Sequence, residues 1–210
     1  MKFFACLLSV LLLGACVATA GVTFYTDQTS FETLYPGLTK EDYSNTNVSA
    51  NNLIGVGGPF NSLTDNMCFS PGDIVGGISF DNDAGRENAV ITPPMFGVLN
   101  VAVGSRNLDV ALYSFSVSVN AFGISAVMPF EAGIYDIEVF GASGSLGTSD
   151  VMVPPNTPAG VFWGVYSDED ITKIAFEARP GDFGMFFTKA QFGAPTALDN
   201  STWGSIKNML

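Results

Sequence analysis

Histidine does not occur anywhere in the 210 residues. Its absence removes Ser-His-Asp triads, HExxH metalloproteases and imidazole metal sites together. Charge is scarce as well: 13% of residues are Asp, Glu, Lys or Arg, about half the usual share of a globular chain. What charge there is has one sign, 20 acidic residues against 8 basic, for a net charge of −12. Such a chain has little with which to displace counterions from a nucleic-acid backbone, so nucleic acid is not an expected partner. The most apolar run, Phe3 to Leu13, is too short to cross a bilayer. Cysteine is limited to Cys6, Cys16 and Cys68.

What is present is apolar residue and glycine. Hydrophobic side chains make up 47% of the sequence, and 23 glycines are scattered through them. This composition argues against disorder and for short strands joined by many turns.

The first twenty residues carry an address. Met1-Lys2 is a minimal positive start, Phe3 to Leu13 an apolar core, and Ala18-Thr19-Ala20 the small residues read by a signal peptidase. Residues 1–20 are therefore expected to be a signal peptide, with Gly21 opening a mature chain of the cell envelope or extracellular space. A second processing route is open, because Leu13-Gly14-Ala15-Cys16 matches a bacterial lipobox and would leave Cys16 lipidated. Loss of Lys2 moves the net charge from −12 to −13. Cys68 then stands alone in the apolar trio Met67-Cys68-Phe69, so no internal disulfide forms and the core must supply the stability. With no histidine to activate it, Cys68 is expected to be a buried thiol.

Along the mature chain, Thr29-Ser30-Phe31-Glu32 has the form of a capping box. It predicts one short helix with Phe31 and Leu34 on the packed side, stopped by Pro36-Gly37. From Lys40 to Asn66 hydrophobes are sparse, which predicts a long connection with an edge strand near Asn52–Val56. Strands are then expected at Ile74–Phe80, Met95–Val103, Leu108–Leu112 and Phe115–Ala121, the last being the clearest alternation. Gly133–Gly141 and Leu146–Val153 follow. Val161–Tyr166 and Ile171–Ala178 read as a hairpin closed by Ser167-Asp168-Glu169-Asp170, and Phe183–Phe192 is the last strand. Eight or nine strands with no βαβ rhythm predict an all-β antiparallel sandwich of jelly-roll type over residues 21–193. Residues 194–210 form a linker and tail, in which Trp203, Ile206 and Leu210 fall at helical spacing.

Several of these segments look familiar together. They are Val22-Thr23-Phe24, Thr29-Ser30-Phe31-Glu32, Gly77-Ile78-Ser79-Phe80-Asp81, Ala121-Phe122-Gly123-Ile124, Phe162-Trp163-Gly164-Val165 and Ile171-Thr172-Lys173-Ile174. Their order over residues 22–192 resembles the exported β-sandwich domains of bacterial PEP-CTERM-type envelope proteins. The Val-Pro-Glu-Pro motif, apolar span and basic cluster that anchor members of that family do not occur in this sequence. The resemblance implies an exported sandwich and transfers no catalytic residue.

Candidate chemistry is sparse. Asp81-Asn82-Asp83-Ala84-Gly85 with Glu87 offers oxygen ligands at alternate positions, which suits Ca²⁺; the competing interpretation is an acidic surface turn. Asp168-Glu169-Asp170 concentrates negative charge at a turn tip. Asp136 and Glu138 share a strand face at about 7 Å, a separation compatible with paired-carboxylate glycoside hydrolysis. Trp163 and Tyr166 lie on opposite faces of one strand and are candidates for stacking on sugar rings, the competing interpretation for Trp163 being a core residue. Together these features predict a non-catalytic binding module for extracellular polysaccharide or envelope components, with calcium as a structural ion. A carboxylate-only carbohydrate-active enzyme and a purely structural surface protein are the alternatives.

Overall fold

Strands that alternate apolar and polar side chains have one face to hide, and two such sheets hide it by stacking. The computed structural model describes residues 21–105, 110–128, 132–155, 157–179 and 184–195. The expected signal peptide at 1–20, with Cys16, and the 202–210 tail lie outside them. In chain order the elements are β1 (Val22–Tyr25), α1 (Gln28–Leu34), β2 (Thr39–Glu41), β3 (Leu53–Val56), β4 (Phe60–Asn61) and β5 (Ile78–Asn82). Next come β6 (Asn88–Ile91), β7 (Ala102–Ser105), β8 (Ala111–Phe115), β9 (Ala121–Val127) and β10 (Gly133–Gly141). The series ends with β11 (Gly144–Val153), β12 (Val161–Ser167), β13 (Lys173–Ala178) and β14 (Met185–Gly193).

The predicted all-β sandwich is what forms. One sheet has eight strands, in the order β1-β12-β9-β14-β7-β6-β3 with β2 also pairing β14. The other has six, in the order β11-β10-β13-β8-β5-β4, and the pairings in both are antiparallel. Between them lies a core rich in aromatic rings. Phe80, Tyr113 and Phe176 from the six-stranded sheet meet Phe122, Trp163 and Phe187 from the eight-stranded one. Cys68 is buried as a free thiol, and burial pushes its pKa up to about 11, so it is not a thiolate at neutral pH.

Helix α1 begins two residues earlier than the capping box suggests. Asp27 is the cap, its carboxylate accepting the Ser30 N–H at 2.7 Å. The helix lies on the outer face of the eight-stranded sheet and buries Phe31 alone, while Leu34 remains 48% exposed. Gly123 and Gly164, adjacent in register on β9 and β12, make the dimple that receives the Phe31 ring. A Cβ at either glycine would come within 3.0 Å of that ring.

Other expectations are corrected by the pairing. The segment 161–178 is not a hairpin: β12 pairs β1 and β9, whereas β13 pairs β10 and β8, so residues 168–172 arch from one sheet to the other. The alternating run 115–121 is an arch too. Val119 is buried between the sheets and Val117 is 50% exposed, but the backbone bonds run outward to Gly77 and Gly193 rather than along a ladder. Met95–Gly97 is a 3₁₀ turn with positive φ at Phe96 and Gly97, which leaves only Ala102–Ser105 as strand. The first core strand starts at Ile78 rather than Ile74, and Leu108–Leu112 gives way to a strand beginning at Ala111. The 40–66 connection does contain the edge strand β3, together with the end of β2 and the short β4.

Glu41 ties that connection to the core. Its carboxylate is 5% exposed and accepts the backbone N–H of Val75 at 2.7 Å and that of Tyr43. Burial raises its pKa against the pull of those two bonds.

Two outcomes follow from this packing. Phe31→Ala removes a ring that nothing else can replace, and should lower unfolding free energy by about 3–5 kcal/mol. Leu34→Ala on the wet side should cost less than about 0.5 kcal/mol, both read from urea midpoints at constant m. Glu41 holds its proton to higher pH folded than unfolded, so its contribution to stability declines as pH rises above the ordinary value of 4.5. Glu41→Gln should remove that decline from a melting-point series against pH. It should also lower stability throughout by about 1–3 kcal/mol, because one amide oxygen cannot serve both N–H groups equally.

Candidate functional site

The two sheets differ in what covers their outer faces. On the eight-stranded sheet, α1 covers one part, while Met95 and Val98 pack with Phe186 and Val127 over another. On the six-stranded sheet, register places the outward side chains, most of them polar, in rows across the strands. One row is Asn61, Ser79, Ser114, Lys173 and Phe140. The next is Asp81, Leu112, Ala175, Glu138 and Thr148. The third sets Glu177, Asp136 and Asp150 side by side on β13, β10 and β11.

That third row is electrostatically costly. Like charges directly opposite one another across a ladder repel. Arg179, just past the end of β13, offsets part of it. Its Nε and one terminal nitrogen donate to both oxygens of Asp136 at 2.9 and 2.6 Å, and the same terminal nitrogen reaches Asp150 at 3.2 Å. The Arg179 hydrogen bonds hold the Asp136 carboxyl below its usual range. Glu177 and, in the adjacent row, Glu138 have no cation facing them among the described residues. Around these groups lies an open groove of about 540 Å³, walled by Asp136, Glu138, Thr148, Asp150 and Glu177, with Val110, Ile137, Ser149 and Ala175 completing its lining.

The residues singled out in the sequence lie elsewhere or play other parts. Trp163 is 1% exposed, its ring packed against Phe24, Phe122 and Phe176, and its Nε1 donates to Ser149 Oγ at 3.4 Å. It has no ring face to offer a sugar. Tyr166 points the opposite way, half-buried on the eight-stranded sheet and stacked on Tyr35 at 4.9 Å, with Tyr25 bonded to Tyr35 at 2.7 Å. The structure therefore does not bring Trp163 and Tyr166 into one site.

Asp81, Asn82, Asp83 and Glu87 do lie together, in the turn that carries the chain from β5 to β6 and so from one sheet to the other. Buried Asn82 and Asn88 bond amide to amide at 2.8 Å, and Asn82 also engages both the carbonyl and the N–H of Arg86. Asp81 accepts from Asn82 N–H and the Asn88 amide, and Asp83 accepts from Val110 N–H at 3.0 Å. The acidic oxygens hold the backbone, and Glu87 is exposed. Among the described residues no group of three or more Asp, Glu, Cys or His side chains converges to hold a metal ion. In the arch 168–170, Ser118 bonds Asp170 and Ser143 bonds Glu169.

Asp136 and Glu138 do line one site, as neighbours on the wet face of β10. Asp150, Glu177 and Arg179 were missed. Each sits on the polar phase of an alternating run, and only the register between strands shows that they meet.

Arg179→Gln should return the Asp136 carboxyl toward its ordinary range, visible as an upward shift in its side-chain carbon NMR titration. Among the described residues, no helix is long and apolar enough to cross a membrane. A scan against protein-family models matches none of them, and a search of curated proteins likewise finds no match.

Proposed function

We propose that this chain is an exported, non-catalytic module that binds extracellular glycan at the outer face of the six-stranded sheet. The observation that carries the proposal is the Asp150–Asp136–Glu177 row beside the open groove. A fold that needs only burial between its sheets gains nothing from three adjacent carboxylates on a wet face. Such local conflict is the mark of a surface kept for binding. Ionised carboxylates only accept hydrogen bonds, and the Thr148 hydroxyl beside them both donates and accepts. Sugar hydroxyls are the complementary group. The signal-like composition of residues 1–20 supports a module of the envelope or extracellular space.

Paired-carboxylate hydrolysis is less well supported. It needs a carboxyl held in its protonated form beside an ionised one, and Arg179 leaves Asp136 suited to the ionised role alone. Calcium does not enter the proposal, because the turn offered for it uses one oxygen each of Asp81 and Asp83 on backbone and amide donors, and its acidic residues do not line the groove.

The test is binding of the purified chain to an array of extracellular polysaccharides, followed by calorimetry on the best of them. Glu138→Gln and Glu177→Gln should each weaken binding by about tenfold, roughly 1.4 kcal/mol, without changing the melting temperature. Failure of the wild-type chain to retain any polysaccharide would overturn the proposal.

A further inference from the structure

The groove is not the only depression on this face. A second, of about 290 Å³, lies on β4, β5 and β8, and Asn61, Ser79 and Ser114 form its polar side with Leu63 at its rim. Register puts Ser79 and Ser114 on the same face as Glu138 and Asp136, through Lys173 and Ala175 of β13. The six strands from β11 to β4 span about 24 Å at ordinary inter-strand spacing. The two depressions therefore lie along a line oblique to the strands, each reaching β8 or the residue just before it, with Lys173 and Leu112 between them. A single sugar ring occupies one depression. A chain of several rings laid across the strands reaches both.

Charge narrows the occupant further. The face carries Asp81, Asp136, Glu138, Asp150 and Glu177, and the cations beside them are engaged. Arg179 is committed to Asp136 and Asp150, and Lys173 Nζ lies 4.1 Å over the Phe140 ring. A neutral glycan leaves the repulsion at Glu138 and Glu177 in place, and an acidic glycan adds to it. An ammonium group on the ligand relieves it while keeping the polyhydroxylated frame that suits the serine and threonine hydroxyls. Resting on the glycan-binding reading above, we infer that the occupant of this face is a linear polysaccharide with free amino groups, bound across the strands from the carboxylate groove to the Asn61–Ser79–Ser114 depression.

The experiment is calorimetry of the full chain with β-1,4-linked glucosamine oligomers, dimer and hexamer, and with the N-acetylated hexamer, at mildly acidic pH and two salt concentrations. The glucosamine hexamer should bind at least tenfold tighter than either of the others, and its affinity should fall as salt rises. Glu138→Gln combined with Glu177→Gln should bring it down to the level of the acetylated hexamer. Ser114→Tyr, which fills the distant depression, should weaken the hexamer severalfold and leave the dimer unchanged. Melting temperatures close to wild type confirm that each variant is folded. Equal affinity for the amino and acetylated hexamers, or for dimer and hexamer, would overturn this inference. If neutral polysaccharides bind and glucosamine oligomers do not, it fails while the glycan-binding reading stands; if no polysaccharide binds, both fall.

Discussion

Everything in this molecule depends on aromatic burial between two sheets that no described covalent link holds together. Cys68 is a free thiol, so no disulfide involving it reduces the entropy of the unfolded chain. Rings from both sheets therefore carry the load. Phe176 and Phe187 approach to 4.7 Å, Tyr113 touches Phe122 and Phe187, and Trp163 closes edge-on against Phe176. Such contacts are worth more than their area alone when rings tilt or meet edge to face. Because stability resides in that layer, the outer faces are released for other purposes. The eight-stranded sheet uses part of its outer face for further packing under Phe31, and the six-stranded sheet keeps rows of polar groups in water.

Much of the fold was legible in the sequence where a strand has two unlike faces. Tyr135, Ile137 and Val139 against Asp136 and Glu138 mark β10 without ambiguity, and Gly133–Gly141 is its observed extent. The same rule misled at 115–121, because a chain crossing from one sheet to the other also turns alternate side chains in and out. Nor could the sequence tell an arch from a hairpin at 167–172. Both need a polar turn between two apolar runs, and the difference lies in partners far away in the chain. Boundaries near Pro93-Pro94 moved because the positive φ at Phe96 and Gly97 bends a run whose composition suits a strand.

The candidate site shows the same division. Its two carboxylates on β10 could be read from spacing alone, whereas Asp150, Glu177 and Arg179 are brought to them by strand register. Trp163 and Tyr166 on opposite faces of one strand meant that one of them meets the core, and the larger, more apolar ring is the one buried there. Tyr166, with a hydroxyl to keep near water, stayed at the surface beside Tyr35 and Tyr25. Side-chain polarity decided between the two residues, as their positions on opposite faces of β12 required.

The place of β14 has a consequence for how the molecule comes into being. This strand is the last of the described elements, yet it sits in the middle of its sheet, bonded to β9 on one side and to β7 and β2 on the other. Strand β1 likewise waits for β12, which follows it by well over a hundred residues. Loop closures of that length are slow to form. During synthesis from the amino terminus, the eight-stranded sheet stays in three unjoined parts, β1-β12-β9, β7-β6-β3 and β2, until residues 185–193 have been made. The sheet is thus withheld from its final form until its latest described strand has been made, and that central strand acts as a keystone set after the arch is raised.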